Sequence, residues 1–179
     1  MENQRVYLSK KLLENALISL LKQKSLYKIS IRELCDVASI NRSTFYKYFS
    51  SQFDLLNYME NNLLKGIDNI LGEPLKGNET LEKSLIKVLK YLKENKEFSK
   101  LLLNNNFDNE FPQKLFSLKG INEAIKQTLP TNSSEQVTNL IKSFVVTGCF
   151  AVIRSWLDDD CSVKESVIAK LLTSIKVNN

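Results

Sequence analysis

The stretch that decides the fold runs Ile29-Ser30-Ile31-Arg32-Glu33-Leu34-Cys35-Asp36-Val37-Ala38-Ser39-Ile40-Asn41-Arg42-Ser43-Thr44-Phe45-Tyr46-Lys47-Tyr48-Phe49. Ser30 suits a helix N-cap, and Glu33 follows three places on, the spacing of a capping box. A helix is expected from Ile31 to Val37 or Ala38, with Ile31, Leu34 and Ala38 as its inward stripe. Ser39-Ile40-Asn41 interrupts it, and Asn41 or Ser39 can cap a third helix, 42–48. On that helix Phe45 and Phe49 form an i, i+4 pair that anchors it inward. Arg42, Ser43, Thr44, Tyr46 and Lys47 carry groups that bond to phosphates or base edges. Two short helices three or four residues apart, the second polar on its outer face, make the helix-turn-helix pattern. A generic bundle whose third helix is polar fits the same periodicity.

Working outward, the remaining periodicity gives a chain of helices. Leu13, Ala16, Leu17, Leu20 and Leu21 predict a first helix over 8–24, with Lys10, Lys11, Glu14 and Lys22 elsewhere on its surface. Ser50 or Ser51 opens a fourth helix over 52–66, carried by Phe53, Leu56, Met59, Leu63 and Ile67. Gly72, Pro74 and Gly77 mark a loop before an amphipathic helix over 81–94. A short helix over 98–103 is broken by 104–112, and a moderately helical stretch, 113–129, is closed by Pro130. Ser134 caps a long helix over 135–157, whose apolar middle, 144–153, implies burial on more than one side. Asp158-Asp159-Asp160 breaks it, and a last helix covers 163–175. Three prolines and five glycines in 179 residues suit long helices with short connections. The expected fold class is all-α: three helices over 1–50, a connecting fourth over 51–67, and a second helical domain over 68–179.

Charge separates these parts. Residues 1–50 hold nine Lys/Arg against four Asp/Glu, whereas the other 129 hold sixteen against sixteen. The whole excess of +5 lies in the N-terminal segment, where it permits a nucleic-acid partner. The chain has no histidine, which removes Ser-His-Asp, Cys-His and histidine-metal chemistry. Cys35, Cys149 and Cys161 are widely spaced and form no CxxC pair, so no zinc knuckle is offered. Cys35 and Cys149 read as small buried hydrophobes in a reducing compartment. Asp158–Asp160 has no companion carboxylate cluster and reads as a helix stop in solvent. No enzyme activity, metal or cofactor is expected. The polar N-terminus lacks the apolar core of a signal peptide, and 144–153 is about half the length that spans a bilayer. A cytoplasmic protein without a membrane partner is expected. A helical protein-interaction module without DNA binding is the competing reading, and the confined positive charge argues against it.

Residues 8–66 resemble the N-terminal domain of the TetR family of bacterial transcriptional regulators. Ile29–Ala38 is similar to the family's second helix, and Ile40–Phe49 resembles its aromatic-rich recognition helix. Ser50–Leu56 is similar to the segment that opens helix four. Two departures stand out: Ser39 replaces the usual turn Gly, and Gln52 replaces a Lys that often opens helix four. Val146–Leu157 is similar to the penultimate helix of a subgroup related to regulators of dihydroxyacetone utilisation. The resemblance implies a homodimer bound to a palindromic double-stranded DNA operator. Asn41, Arg42, Ser43, Thr44 and Lys47 would lie at the major groove, with Asn41 and Arg42 reading bases. Thr44, Tyr46, Lys47 and Tyr48 would contact phosphates, joined by Tyr27 and Ser30 at the start of helix two. The last two helices would pair through Phe144, Gly148, Val152, Trp156, Ile168 and Leu172. A small-molecule effector would sit among aromatic residues drawn from Phe98, Phe107, Phe111, Phe116 and Phe150, with Phe144 in the same pool. Repression is the expected mode, with activation through a protein partner as the alternative.

Overall fold

The computed structural model describes residues 4–72, 80–104, 111–126 and 134–174, with the backbone alone at 112, 113, 116, 120 and 124. Every regular element among the described residues is helical. The helices are α1 (Gln4–Leu21), α2 (Ile31–Ala38), α3 (Arg42–Tyr46), α4 (Gln52–Gly72) and α5 (Leu81–Glu94). They continue as α6 (Lys96–Asn104), α7 (Phe111–Ser117), α8 (Lys119–Lys126), α9 (Glu135–Asp158) and α10 (Glu165–Ser174). The chain forms two compact units, Met1–Leu63 and Leu64–Asn179.

In the first unit α1 packs on α2, and α2 on α3. The stripe expected on α1 is its buried face: Leu13, Ala16, Leu17, Leu20 and Leu21. The opposite side leaves Tyr7, Leu8 and Leu12 about half exposed. A single 3₁₀ turn, Leu26–Lys28, leads into α2. Its Leu26 and the following Ile29 are both buried, which fixes where α2 begins. On α4 the periodicity holds for Leu56, Met59 and Leu63, but Phe53 is exposed at its first turn.

In the second unit α5 packs on α10, and α6 on α9. Leu89 of α5, Trp156 and Leu157 of α9, Cys161, and Ile168, Ala169 and Leu172 of α10 form one core cluster. Each large apolar side chain buried in it contributes roughly 1.5–3 kcal/mol to cohesion. Polar contacts lock its rim. The Trp156 indole N–H donates to the Val163 carbonyl at 2.8 Å. Lys93 pairs with Glu165 at 2.8 Å, and Lys96 with Asp160 at 2.7 Å. Between α5 and α6, the buried Ser99 hydroxyl donates to the Leu92 carbonyl.

Two expectations change. The stretch 113–129 is not one helix: α7 and α8 are separated at Leu118, and 127–129 lies outside the described residues. The middle of α9 is not buried on more than one side. Leu140 is 72% and Phe144 66% exposed. By length and composition α9 is apolar enough to cross a membrane, because it runs 24 residues rather than the ten of its most apolar stretch. Only 17% of its most apolar window is buried, which leaves much of its apolar surface exposed among the described residues.

Candidate nucleic-acid interface

The local chemistry of 29–49 builds a tight helix-turn-helix. The Ser30 hydroxyl accepts the Glu33 N–H at 3.2 Å and caps α2. Glu33 does not return the bond as a full capping box would; its carboxylate is taken by Lys24, which ties the end of α1 to α2. At the other end Ser39 is left-handed, at φ 53° and ψ 42°. Its N–H donates to the Asp36 carbonyl at 3.2 Å, and the Ile40 N–H donates to the Cys35 carbonyl at 2.9 Å. This pair of bonds is a Schellman turn, which normally places Gly at the left-handed position. Ser adopts it here without help from a missing Cβ, so the turn carries a conformational cost.

Five residues follow as α3, ended by tightening of the chain: the N–H groups of Tyr48 and Phe49 both donate to the Phe45 carbonyl. The helix is two residues shorter than expected. Phe45 is fully buried and Phe49 is 4% exposed, as the i, i+4 anchor requires. The polar set stands on the other side. Asn41, Arg42, Ser43, Tyr46 and Lys47 are exposed, and Thr44 and Tyr48 are half-buried. Asn41 holds the N-cap position but makes no side-chain cap bond. Among the described residues, no hydrogen bond or ion pair within the protein engages the side chains of Asn41, Arg42, Ser43 or Lys47. Cys35 lies beneath this surface, and burial pushes its thiol up against the opposing pull of Arg42. It behaves as the small hydrophobe expected.

Tyr27 and Ser30 are exposed beside the start of α2. The ring of Tyr27, 84% exposed, stands edge-on to Phe53 at 5.1 Å between centroids. Ser30 spends its acceptor on the cap and keeps its O–H to donate. Ser51 caps α4, accepting the Asp54 N–H at 3.2 Å, and Asp54 in turn accepts the Ser50 N–H at 2.8 Å.

The structure also shows a feature that periodicity could not find. Phe45, Phe49 and Tyr58 stack in series at 5.9 and 5.3 Å, and Tyr48 meets Phe49 at 6.5 Å. The Lys10 ammonium lies 4.9 Å from the Tyr58 ring centre and 6.0 Å from that of Tyr48. The carboxylate of Glu60 on α4 is also buried, at 2% exposure. Lys10 belongs to no motif, because the rings it meets come from distant parts of the chain.

The residues expected in a subunit contact divide. Trp156, Ile168 and Leu172 are 4–7% exposed in the core cluster of their own subunit, and half-buried Val152 packs against it. There they pack with Leu89 of α5 and Leu157 of α9. Phe144 is exposed, and Gly148 faces open space where a Cβ would stand. The apolar groups that do face outward are Val137, Leu140 and Phe144 on α9, with Val163, Val167 and Leu171 on or beside α10. Of the aromatic pool for an effector, Phe98 and Phe111 are buried and Phe150 is half-buried. Phe144 stands apart from them on the surface. Phe107 and the side chain of Phe116 lie outside the described residues. The acidic stop at 158–160 is received by α6 rather than by solvent alone. Lys96 and Lys100 meet Asp160, and Asn104 donates to Asp158.

Comparison with known proteins gives the geometry its context. A TetR-class family model, described as a transcriptional regulator C-terminal region, matches residues 79–176. The chain is 18% identical over 162 residues to the uncharacterised HTH-type transcriptional regulator YxbF of Bacillus subtilis (strain 168), covering 88% of this chain and 42% of that protein. It is 27% identical over 109 residues to the HTH-type dhaKLM operon transcriptional activator DhaS of Lactococcus lactis subsp. lactis (strain IL1403), covering 58% of this chain and 54% of DhaS. The chain thus spans about half the length of the curated relatives it matches. A TetR transcriptional regulator from Streptococcus agalactiae 2603V shares the fold, with a TM-score of 0.69 at 22% identity over 97% of this chain and 96% of that one. With a helix-turn-helix at one end and a family match over more than half of its residues at the other, the chain belongs to the TetR family of transcriptional regulators.

Proposed function

We propose that this protein is a cytoplasmic transcriptional repressor that binds a palindromic operator as a homodimer and releases it on binding a small-molecule effector. One observation carries the reading. A five-residue helix buries Phe45 while it and its flanks leave Asn41, Arg42, Ser43, Tyr46 and Lys47 outward, within the first fifty residues, whose excess of +5 equals that of the whole chain. Arg42 and Asn41 offer bidentate bonds to base edges. Thr44, Lys47, Tyr46, Tyr48, Tyr27 and Ser30 supply donors to phosphates. One such module buries roughly 600–1,000 Å², too little for a specific site, so two heads on a two-fold axis are needed. The outward apolar stripes of α9 and α10, with Leu140 and Phe144 at their centre, supply the pairing surface. On this reading 1–50 is the DNA-binding part, α4 connects, and 68–179 pairs and senses. Phe98, Phe111 and Phe150 are the aromatic walls available to an effector, whose differential binding would favour one separation of the heads.

The match to DhaS, an activator by its name, supports a second reading: the same DNA-binding subunit raising transcription. Both readings meet one test. Fluorescence anisotropy with the intergenic DNA upstream of the protein's own gene, in excess competitor DNA and at two salt concentrations, should show specific binding that weakens with salt. Equal affinity for the target and for scrambled DNA of the same length would dismiss both. A reporter driven by the bound sequence then separates repression from activation.

A further inference from the structure

The recognition helix is held at one end by a strained turn and at the other by something the sequence does not announce. At five residues α3 has too few internal bonds to persist alone. Its first turn follows the Schellman bonds of Ser39 and Ile40, and its middle is anchored by Phe45. Beyond Tyr46 the backbone tightens, so Tyr48 lies where the helical ladder has already ended. Tyr48 is half-buried, with one ring edge against Phe49. The Lys10 ammonium reaches the same place from α1, thirty-eight residues earlier in the chain. It lies against both Tyr48 and Tyr58, within the distance at which a ring face attracts a cation. Lys10 is itself half-buried, which weakens screening by salt and strengthens the attraction. One charge thereby ties α1, the end of α3 and α4 together.

We propose that Lys10 is a positioning residue for DNA recognition: its ammonium, lodged against the rings of Tyr48 and Tyr58, fixes the C-terminal end of the recognition helix for the operator. This rests on the DNA-binding reading above. Lys10 acts through the tyrosines, so its loss blurs the orientation of α3 rather than deleting a phosphate contact. Arginine retains a cation for the rings, whereas methionine retains only the apolar stem.

The test uses the full chain and the intergenic DNA, with dissociation constants corrected for the binding-competent fraction of each preparation. Wild type, Lys10→Met, Lys10→Arg, Tyr48→Leu and the Lys10→Met/Tyr48→Leu pair are compared, with Arg42→Ala as a control in the DNA-reading face. Lys10→Met should weaken binding about five-fold, the scale of a half-buried cation–ring contact. Lys10→Arg should restore most of it. The double variant should bind no worse than Tyr48→Leu alone, and the salt slope of Lys10→Met should match wild type. A slope lower by about 0.9 would instead make Lys10 a direct phosphate contact and overturn the proposal. So would an unchanged affinity for Lys10→Met, or additive losses in the double variant. Corrected constants separate these outcomes from a simple loss of folded protein. If wild type itself fails to bind specifically, it is the DNA-binding reading that falls; if Arg42→Ala loses binding and Lys10→Met does not, only the role of Lys10 falls.

Discussion

At the scale of single residues, the turn at Ser39 offers the sharpest energetic test. A left-handed conformation costs an L-residue about 1–2 kcal/mol, and glycine escapes that cost while losing about 0.5–1 kcal/mol of chain entropy. Ser39→Gly should therefore stabilise the protein by about 0.5–1 kcal/mol, read as a higher urea midpoint at unchanged slope. A lower midpoint would mean that the Ser39 side chain does more than tolerate the turn. On the DNA face, Arg42→Ala and Lys47→Ala should differ in kind. Losing a base reader should cost about 1–3 kcal/mol and relax preference at one operator position; losing a phosphate contact should weaken all sequences alike and lower the salt slope by about 0.9. Binding to a panel of single-base operator variants distinguishes the two. Asp160 supplies a pH test. Its side-chain bond to Lys96 holds its carboxyl below the usual 3.8, so the pair stabilises the fold above that value and the benefit is lost as pH falls through the lowered one. Asp160→Asn tolerates the residue's left-handed φ of 56° and removes the charge, so acid unfolding below about pH 4 should become less steep.

At the scale of elements, how much could be read from the chain depended on whether the signal was local. The caps at Ser30, Ser51 and Ser134 and the inward stripe of α1 follow from spacing alone, and the structure shows each of them. The start of α4 was legible but its end was not. The expected helix ends at 66, yet α4 runs on to Gly72, and a Cβ at Gly66 would meet the Tyr91 ring at 2.3 Å. That glycine answers to a close approach by α5, which periodicity cannot see. The polar face of α3 was equally plain, because Phe45 and Phe49 fix which side turns in. Lys10 was not, since its partners Tyr48 and Tyr58 are brought to it by tertiary packing. The same dependence on packing makes α3 fragile. Phe45→Ala removes the fully buried anchor of a helix too short to hold itself, and should cost about 3–5 kcal/mol in a denaturant titration. A loss below about 1 kcal/mol would mean that α3 is held by its flanks instead.

At the scale of the whole molecule, periodicity marked Trp156, Ile168 and Leu172 as apolar but could not say what covers them; within the chain they pack in one core cluster. What remains outward on α9 is a run at intervals of three and four: Val137, Leu140, Phe144 and, past Gly148, Ala151. A helix this apolar and only 17% buried over its richest window carries a standing cost in water, which the proposed pairing of two copies would relieve. The proposed homodimer also explains why the charge is divided as it is. On that proposal a body with no net charge over 51–179 would dock on itself without repulsion, and the basic N-terminal segments would face the DNA. A charge placed in the centre of the stripe should uncouple these roles. Leu140→Glu and Phe144→Glu together should halve the sedimenting mass from twice 20.5 kDa to one chain. The heads would keep their fold, since neither residue lies in a core. Operator affinity should then fall by several orders of magnitude, because a single module binds only a half-site. Sedimentation velocity at micromolar concentration, paired with anisotropy on full and half operators, reads both effects. A wild-type chain that already sediments as one copy, or a double variant that stays paired and binds as tightly as before, would remove α9 from the interface and with it the two-headed reading of the operator.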